Sequence, residues 1–600
     1  MKQFFKMMFA CLVALVVAGG FAVFFTFVII GGLIAAAGDT TPKVPDNAML
    51  VFDISATISD APNDQSAQAL VSQALGNEGP PRLQLRKVIA AIDAAASDKH
   101  IKGLVMRGSF EASGLGSGYG ALLEVRTALE RFRAAGKPVI AYLVEPSTRD
   151  YMVASMADRI VIHPMGMLVT PGLNAEVIYW GGLFARYGVG VQIARAGAYK
   201  SFGESYTKET MSDQEREQIT ELLDDVWAEF IASVTRSRKL DEGALQKIID
   251  ETGLIPADKA KAAGLVDEVH DLSDLIDELR TTTGETDPKK TFKQISLASY
   301  IAVHEPAAGA KVSGPQIAVV YAEGEIVDGE GRPDVVGGDK LARELRKLRR
   351  DDSVKAVVLR VNSPGGSAIA SEVIRRELVL LHEKKPVVVS MGSVAASGGY
   401  WISTASDRIF AEPTTITGSI GVIAMIPNVK GLADRFFVNI EGVKTGRHAD
   451  IFSIAKPRDE ETMKVLQTFV DDTYSKFLDR VVENRKMSRE DVEKIAGGRV
   501  WSGADALRNG LVDEIGGLDK AVAHAASLVQ AKDYTVVDYP PAENFLERLM
   551  AILNGQGTPL ATRGPEAEAR EVLSQARQAL DGFSDPVGIY ARMPVVLHLK

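Results

Sequence analysis

The stretch GSVAASGGYWISTASDRI, Gly392 to Ile409, sets Ser397 among small residues directly after an apolar run, KPVVVSM. A serine can act as a nucleophile when it stands on a sharp strand-to-helix turn with its hydroxyl exposed, and crowding there admits only small neighbours. The motif is not GxSxG, because Ala395 stands at its first glycine. A nucleophile and a small packing residue are both open readings from these residues alone. A second stretch, VNSPGGSAIASEVI, puts Gly365 and Gly366 between a strand, VKAVVLRV, and a helix. Glycines at such a junction let backbone N–H groups face an incoming oxygen, which makes both oxyanion-hole candidates; a plain tight turn is the alternative. A nucleophilic serine also needs a base. The nearest histidine is His448 in TGRHADIF, for which no acidic partner is placed. The alternative is a lysine made neutral by burial, a shift of about three units or about 4 kcal/mol from its usual 10.4.

These residues require rigid elements behind them. Short Val- and Ile-rich runs alternate with helix-period segments, as in RELRKLRRDDSVKAVVLRV, which predicts an α/β fold of βαβ units with parallel, buried strands. The chain also contains itself twice. MLVFDISATISD resembles IAVVYAEGEIVDG, IKGLVMR resembles VKAVVLR, KPVIAYLVEPSTRDYMVASMADRIVIHP resembles KPVVVSMGSVAASGGYWISTASDRIFAEP, and AAGLVDEV resembles RNGLVDEI. The separation drifts slowly, from 253 residues between Ile101 and Val354 to 249 between Asp158 and Asp407 and 246 between Leu265 and Leu511. Two tandem domains are expected, at 45–283 and 314–539, joined by a linker at 284–313 and followed by a tail at 540–600 with one amphipathic helix near EAEAREVLSQARQAL. Asp158-Arg159 and Asp407-Arg408 occur in both copies and read as structural, since a feature kept at both equivalent sites cannot mark a single active one.

At 600 residues the chain is too long for one core. A net charge of −10 with pI near 5.5 leaves no footprint for nucleic acid. The one cysteine, Cys11, excludes an internal disulfide and a thiolate cluster, and the eight histidines lack ligand spacing, so neither metal nor cofactor is expected. No charge occurs between Lys6 and Asp39. That run exceeds the roughly 20 residues that span a bilayer and the roughly 7 to 15 of a signal-peptide core. Residues 1–44 are therefore expected to form a transmembrane helix and a short linker, with Lys2 and Lys6 on the cytoplasmic side and the rest of the chain beyond the membrane.

The whole pattern, with VNSPGGS, the ASGGYW block, TGSIGV and, in the first half, GAYKSFGES, resembles the signal peptide peptidases of the SppA type within the ClpP/crotonase superfamily. The resemblance implies two crotonase-like domains and a Ser-Lys dyad that the long tandem form divides between its halves. It assigns Ser397 as nucleophile, Lys200 as general base and Ser419 as the hydroxyl that orients the lysine, with Gly365, Gly366 and Gly398 around the oxyanion. The duplication agrees with this division. The 249-residue offset carries Ser397 onto Thr148 and Lys200 onto Ala449, so each half retains one member. Tyr199 and Phe202 flank the lysine as an expected apolar wall. The resemblance further implies cleaved signal peptides as substrates, a homotetramer, and the bacterial inner membrane with the catalytic domains in the periplasm. An inactive membrane scaffold and a crotonase-like acyl-CoA enzyme are the alternatives.

Overall fold

The Val- and Ile-rich runs of each half become one largely parallel sheet, and the two sheets share a strand order. The first runs Glu268–Val269, Arg159–Ile162, Val139–Leu143, Ile101–Arg107, Ala48–Asp53, Gln294–Ser296. The second runs Glu514–Ile515, Arg408–Ala411, Val387–Ala396, Val354–Ser363, Gln316–Glu323, Thr535–Tyr539. Within each of these orders every pairing is parallel, and helices such as Leu85–Ser97 and Ala368–His382 cover the faces, so central strands are buried from end to end. The computed structural model describes residues 42–62, 81–304, 314–332, 334–539 and 589–593. The expected N-terminal membrane helix and the expected tail helix lie outside the described residues. No helix among the described residues is long and apolar enough to cross a membrane.

Contacts repeat with the sequence. The Tyr151 hydroxyl donates to the Leu265 carbonyl and the Tyr400 hydroxyl to the Leu511 carbonyl, at equivalent places. Asp158 accepts the Val139 N–H and Asp407 the Val387 N–H, each at 2.9 Å, while Arg159 pairs with Glu268 and Arg408 with Glu514. The two Asp-Arg motifs thus do the same structural work in both copies, binding neighbouring strands. Residues 284–304, expected to be linker, instead continue the first unit: Gln294–Ser296 adds an edge strand, and the helix Leu297–His304 docks through buried Tyr300, whose hydroxyl donates to Asp98 at 2.9 Å. The apolar residues Ile295, Leu297 and Tyr300 that anchor this segment are too few to register as a periodic pattern in sequence.

The halves differ where the second exceeds the first. Its two central strands are 10 residues each, against 7 and 5 for their counterparts. The added residues carry Asn362, Ser363 and the approach to Ser397 at the C-terminal ends of parallel strands, where α/β sheets build their sites. A buried polar knot locks these extensions to the first half. Arg360 donates to Asp60 at 2.8 Å and to Glu124 at 2.5 Å, Asn362 donates to Asp60 at 2.8 Å, and the Val394 N–H donates to Asn362 at 3.2 Å. Burial among neighbouring carboxylates pushes Glu124 up to about 7 despite its arginine partner.

A third sheet joins the halves: Val336–Gly337, Ile326–Val327, Gly365–Ser367, Ile589–Arg592, Val422–Asn428, Gly190–Ala196. Gly190–Ala196 belongs to the first half by sequence but pairs antiparallel with Val422–Asn428 of the second along its whole length.

Candidate active site

Ser397 follows directly on Val387–Ala396 and opens the short helix Gly398–Ser403. Its backbone, at φ 57° and ψ −114°, lies where a side chain is strained. Two bonds hold it there: the Ser397 N–H donates to the Gly418 carbonyl at 2.8 Å, and the Trp401 N–H donates to the Ser397 carbonyl at 2.8 Å. The matching turn in the first half is an ordinary helix start. Ser147, at φ −71°, caps it in a capping box with Asp150, and Thr148 is the first helical residue.

Lys200 arrives from the first half on the turn that follows Gly190–Ala196. Its Nζ lies 2.7 Å from Ser397 Oγ, 3.0 Å from Ser419 Oγ and 3.0 Å from the Ser419 carbonyl oxygen. Lys200, Ser397 and Ser419 are all fully buried. Burial alone drives the lysine pKa well below its ordinary value, and no carboxylate pairs with the amine among the described residues. The turn fits because Gly498 of the second half lies under it: a Cβ there would come within 2.6 Å of the Lys200 backbone nitrogen, at a φ of +83° that also favours glycine. The Tyr199 N–H donates to the neighbouring Gly497 carbonyl at 2.9 Å. A cleft of about 170 Å³ beside the lysine is lined in part by Ile193, Gly203 and Ile423.

Of the two expected wall residues, Phe202 is buried against Ile423 and Met425, whereas Tyr199 turns outward. The Tyr199 hydroxyl donates to Glu217 at 3.0 Å, and the Arg499 guanidinium lies 4.9 Å from its ring. Its phenol finds partners only toward solvent, which explains the departure. His448 is within hydrogen-bond distance of the Thr462 hydroxyl, 3.1 Å away, on a different element. Ala449, the repeat counterpart of Lys200, is exposed.

Gly365 and Gly366 both have positive φ, 94° and 155°, and a Cβ on Gly366 would strike the Ile326 carbonyl oxygen at 2.0 Å. The Gly365 N–H donates to Ser363 Oγ at 3.2 Å, and Gly398 follows the serine at the start of its helix. Sequence reasoning left Asp60, Glu124, Arg360, Asn362 and Gly498 without roles. A signal existed for two of them, since Arg360 and Asn362 interrupt an otherwise apolar strand, VKAVVLRVN.

Together these groups make a strained serine beside a buried amine whose pKa is lowered, with candidate oxyanion donors nearby, an arrangement suited to acyl transfer. Comparison with known proteins agrees. Protease 4 of Salmonella typhi is 34% identical over 589 residues, covering 95% of this chain and 94% of that protein. Protease 4 of Haemophilus influenzae is 34% identical over 578 residues, covering 93% and 92%. The chloroplastic serine protease SPPA of Arabidopsis thaliana is 29% identical over 452 residues, covering 74% of this chain and 66% of that protein. The family model described as Peptidase family S49 matches residues 131–285, which include Lys200, and again 380–532, which include Ser397 and Ser419. The chain belongs to Peptidase family S49 and is a serine peptidase.

Proposed function

We propose that the chain is a membrane-anchored endopeptidase that hydrolyses released signal peptides and other unfolded apolar peptides through a dyad of Ser397 and Lys200. The observation that carries this reading is the 2.7 Å approach of Lys200 Nζ to Ser397 Oγ in a fully buried site. Neutral Lys200 takes the hydroxyl proton as Ser397 Oγ bonds to the substrate carbonyl carbon. Gly366 and Gly398 offer N–H groups to the oxyanion, joined by the Gly365 N–H once it leaves Ser363 Oγ. The lysine ammonium then passes its proton to the leaving amine as the C–N bond breaks. A water, deprotonated by Lys200, hydrolyses the acyl-serine and restores the dyad. Ser419 orients the amine. In this reading residues 45–283 and 314–539 are two crotonase-like domains, and the uncharged run from Lys6 to Asp39 anchors them with the catalytic body on the periplasmic side of a bacterial inner membrane. Substrate preference is supported by the family resemblance and by tethering, which raises the local concentration of membrane fragments.

Assembly as a homotetramer fits the repeat. The pairing of Gly190–Ala196 with Val422–Asn428 is made once inside the chain. The 249-residue offset maps these strands onto 439–445 and 173–179, for which no strand pairing occurs among the described residues and which expose Ile440, Val443 and Ile178. The same antiparallel pair made between copies gives a head-to-tail ring. The test of the activity is hydrolysis of a fluorogenic unfolded peptide by wild type, Ser397→Ala and Lys200→Ala. Turnover by wild type alone is expected; turnover by Ser397→Ala contradicts the reading.

A further inference from the structure

The helix Asp213–Arg238 of the first half lies along the strand Val500–Ser502 of the second. One face of it, at spacings of three and four residues, carries Glu215, Gln218, Leu222 and Asp225. Leu222 shares an apolar cluster with Val500, and Asp225 accepts the Ser502 hydroxyl at 2.6 Å. Gln218 bridges the same strand to the lysine turn. Its amide nitrogen donates to the Tyr199 carbonyl at 3.1 Å and to Ser201 Oγ at 3.3 Å, on the two sides of Lys200, while its carbonyl accepts the Val500 N–H at 3.2 Å. The Tyr199 carbonyl only accepts and the Val500 N–H only donates, so the bridge needs donor and acceptor on one side chain, which a carboxamide supplies. Gln218 is 1% exposed, so water does not compete for these bonds. From Val500 the contacts run on to the serine. Val500 pairs with Gly418, whose carbonyl accepts the Ser397 N–H, and the Arg499 carbonyl accepts the Ser419 N–H at 2.7 Å. The 2.7 Å contact of Lys200 Nζ with Ser397 Oγ closes the circuit.

We infer that Gln218 is a positioning residue: its side-chain amide fixes the lysine turn to the strand that leads to Ser397, and so sets the approach of the Lys200 amine to the serine hydroxyl. The inference rests on the dyad reading. The repeat supports it. The helix Glu460–Arg485 of the second half has the same 26 residues and begins 247 residues later. That offset places Thr462 at Glu215 and Val465 at Gln218, and Val465 is exposed. The buried polar pair is thus found in the half that carries the lysine, and its counterpart in the other half bridges nothing. Because the lysine and the serine come from different halves, no local backbone geometry fixes their separation, and a bond between the halves must. Charged groups around the turn are paired with one another rather than with the amine. Glu215 accepts from Tyr179 and Ser201, Arg499 pairs with Glu217 and Glu221, Glu204 with Arg195 and Lys208, and Arg592 with Glu325. The position of the turn and its exclusion of water therefore govern the state of Lys200.

Full-length variants test this with a fluorogenic unfolded peptide. Gln218→Met keeps the side-chain length and removes both halves of the bridge, leaving the Tyr199 carbonyl and the Val500 N–H to recruit water. Its kcat falls about tenfold with KM little changed, as a displaced base requires. The rise of kcat/KM with pH also moves to higher pH, because water admitted at the turn lets Lys200 hold its proton more strongly. Tyr151→Phe deletes an equally buried bond, to the Leu265 carbonyl, away from the turn, and leaves kcat and the pH curve as in wild type. Gln218→Glu keeps the acceptor for Val500 and loses the donor for Tyr199, so its kcat at high pH also falls below wild type; it decides the matter where Gln218→Met does not fold. A folded Gln218→Met with wild-type kcat overturns the inference, and so does a lower kcat on the wild-type pH curve, which is what a general loosening gives. An inert wild type ends the peptidase reading instead. The bridge is then judged by amide hydrogen exchange in Gln218→Met: faster exchange at residues 199–201 and 500 supports it, and unchanged exchange there overturns it.

Discussion

At the scale of single residues, the proposed mechanism depends on keeping Lys200 neutral. Its burial beside Ser397 and Ser419, with no carboxylate partner among the described residues, lowers its pKa from the usual value of about 10.4. The base works only when deprotonated, so kcat/KM rises with pH through the folded pKa of the lysine and levels off above it, and Lys200→Ala lowers it about a thousandfold or more. The same shift bears on stability. Between the depressed folded value and about 10.4 the unfolded chain binds the proton more strongly, so stability rises with pH across that window. Lys200→Met should therefore raise Tm, with a larger gain at pH 6.5 than at pH 9.5, measured by thermal unfolding. The two residues that the fold brings to 2.7 Å were singled out in sequence, Ser397 from its small neighbours and Lys200 from the family resemblance and the loss of each residue's counterpart. The orientation of Tyr199 was not, because it depends on Arg499 and Glu217, which reach it only through the fold.

At the scale of elements, the site is held by close backbone contacts that local sequence does not display. The lysine turn lies on Gly497 and Gly498, and Ser397 is pinned by a carbonyl from the adjacent strand Ile416–Gly418. Gly498→Ala must strain a positive φ and push on the Lys200 nitrogen, costing about 1–3 kcal/mol. It should lower kcat more than it raises KM, because it displaces the proposed base; equal kcat in the variant would show that the lysine turn adjusts freely. The strands and covering helices followed from apolar runs and periodicity. The lengthening of the two central strands in the second half did not, since the residues added there include the polar Asn362 and Ser393, which are stabilised by partners elsewhere in the chain.

At the scale of the whole molecule, the fold brings Lys200 of the first half to Ser397 of the second, so in the proposed mechanism neither half alone holds a complete dyad. The two domains were visible in sequence as an ordered repeat, whereas the crossing of Gly190–Ala196 into the second half was not, because pairing between distant strands leaves no local pattern. The repeat also predicts contacts between copies. The register Val191 to Pro427 inside the chain maps onto Ile440 of one copy opposite Ile178 of the next. With Cys11 replaced by serine, Ile440→Cys and Ile178→Cys variants should form disulfide-linked dimers when mixed, read by non-reducing electrophoresis; absence of the link contradicts head-to-tail pairing. The divided dyad itself is tested most directly by acylation of Ser397 with a fluorophosphonate probe, located by mass spectrometry of the peptide that carries it. Rapid labelling of Ser397 that accelerates with pH in wild type, and its loss in Lys200→Ala, is the predicted result; labelling of Lys200→Ala at the wild-type rate would contradict the account.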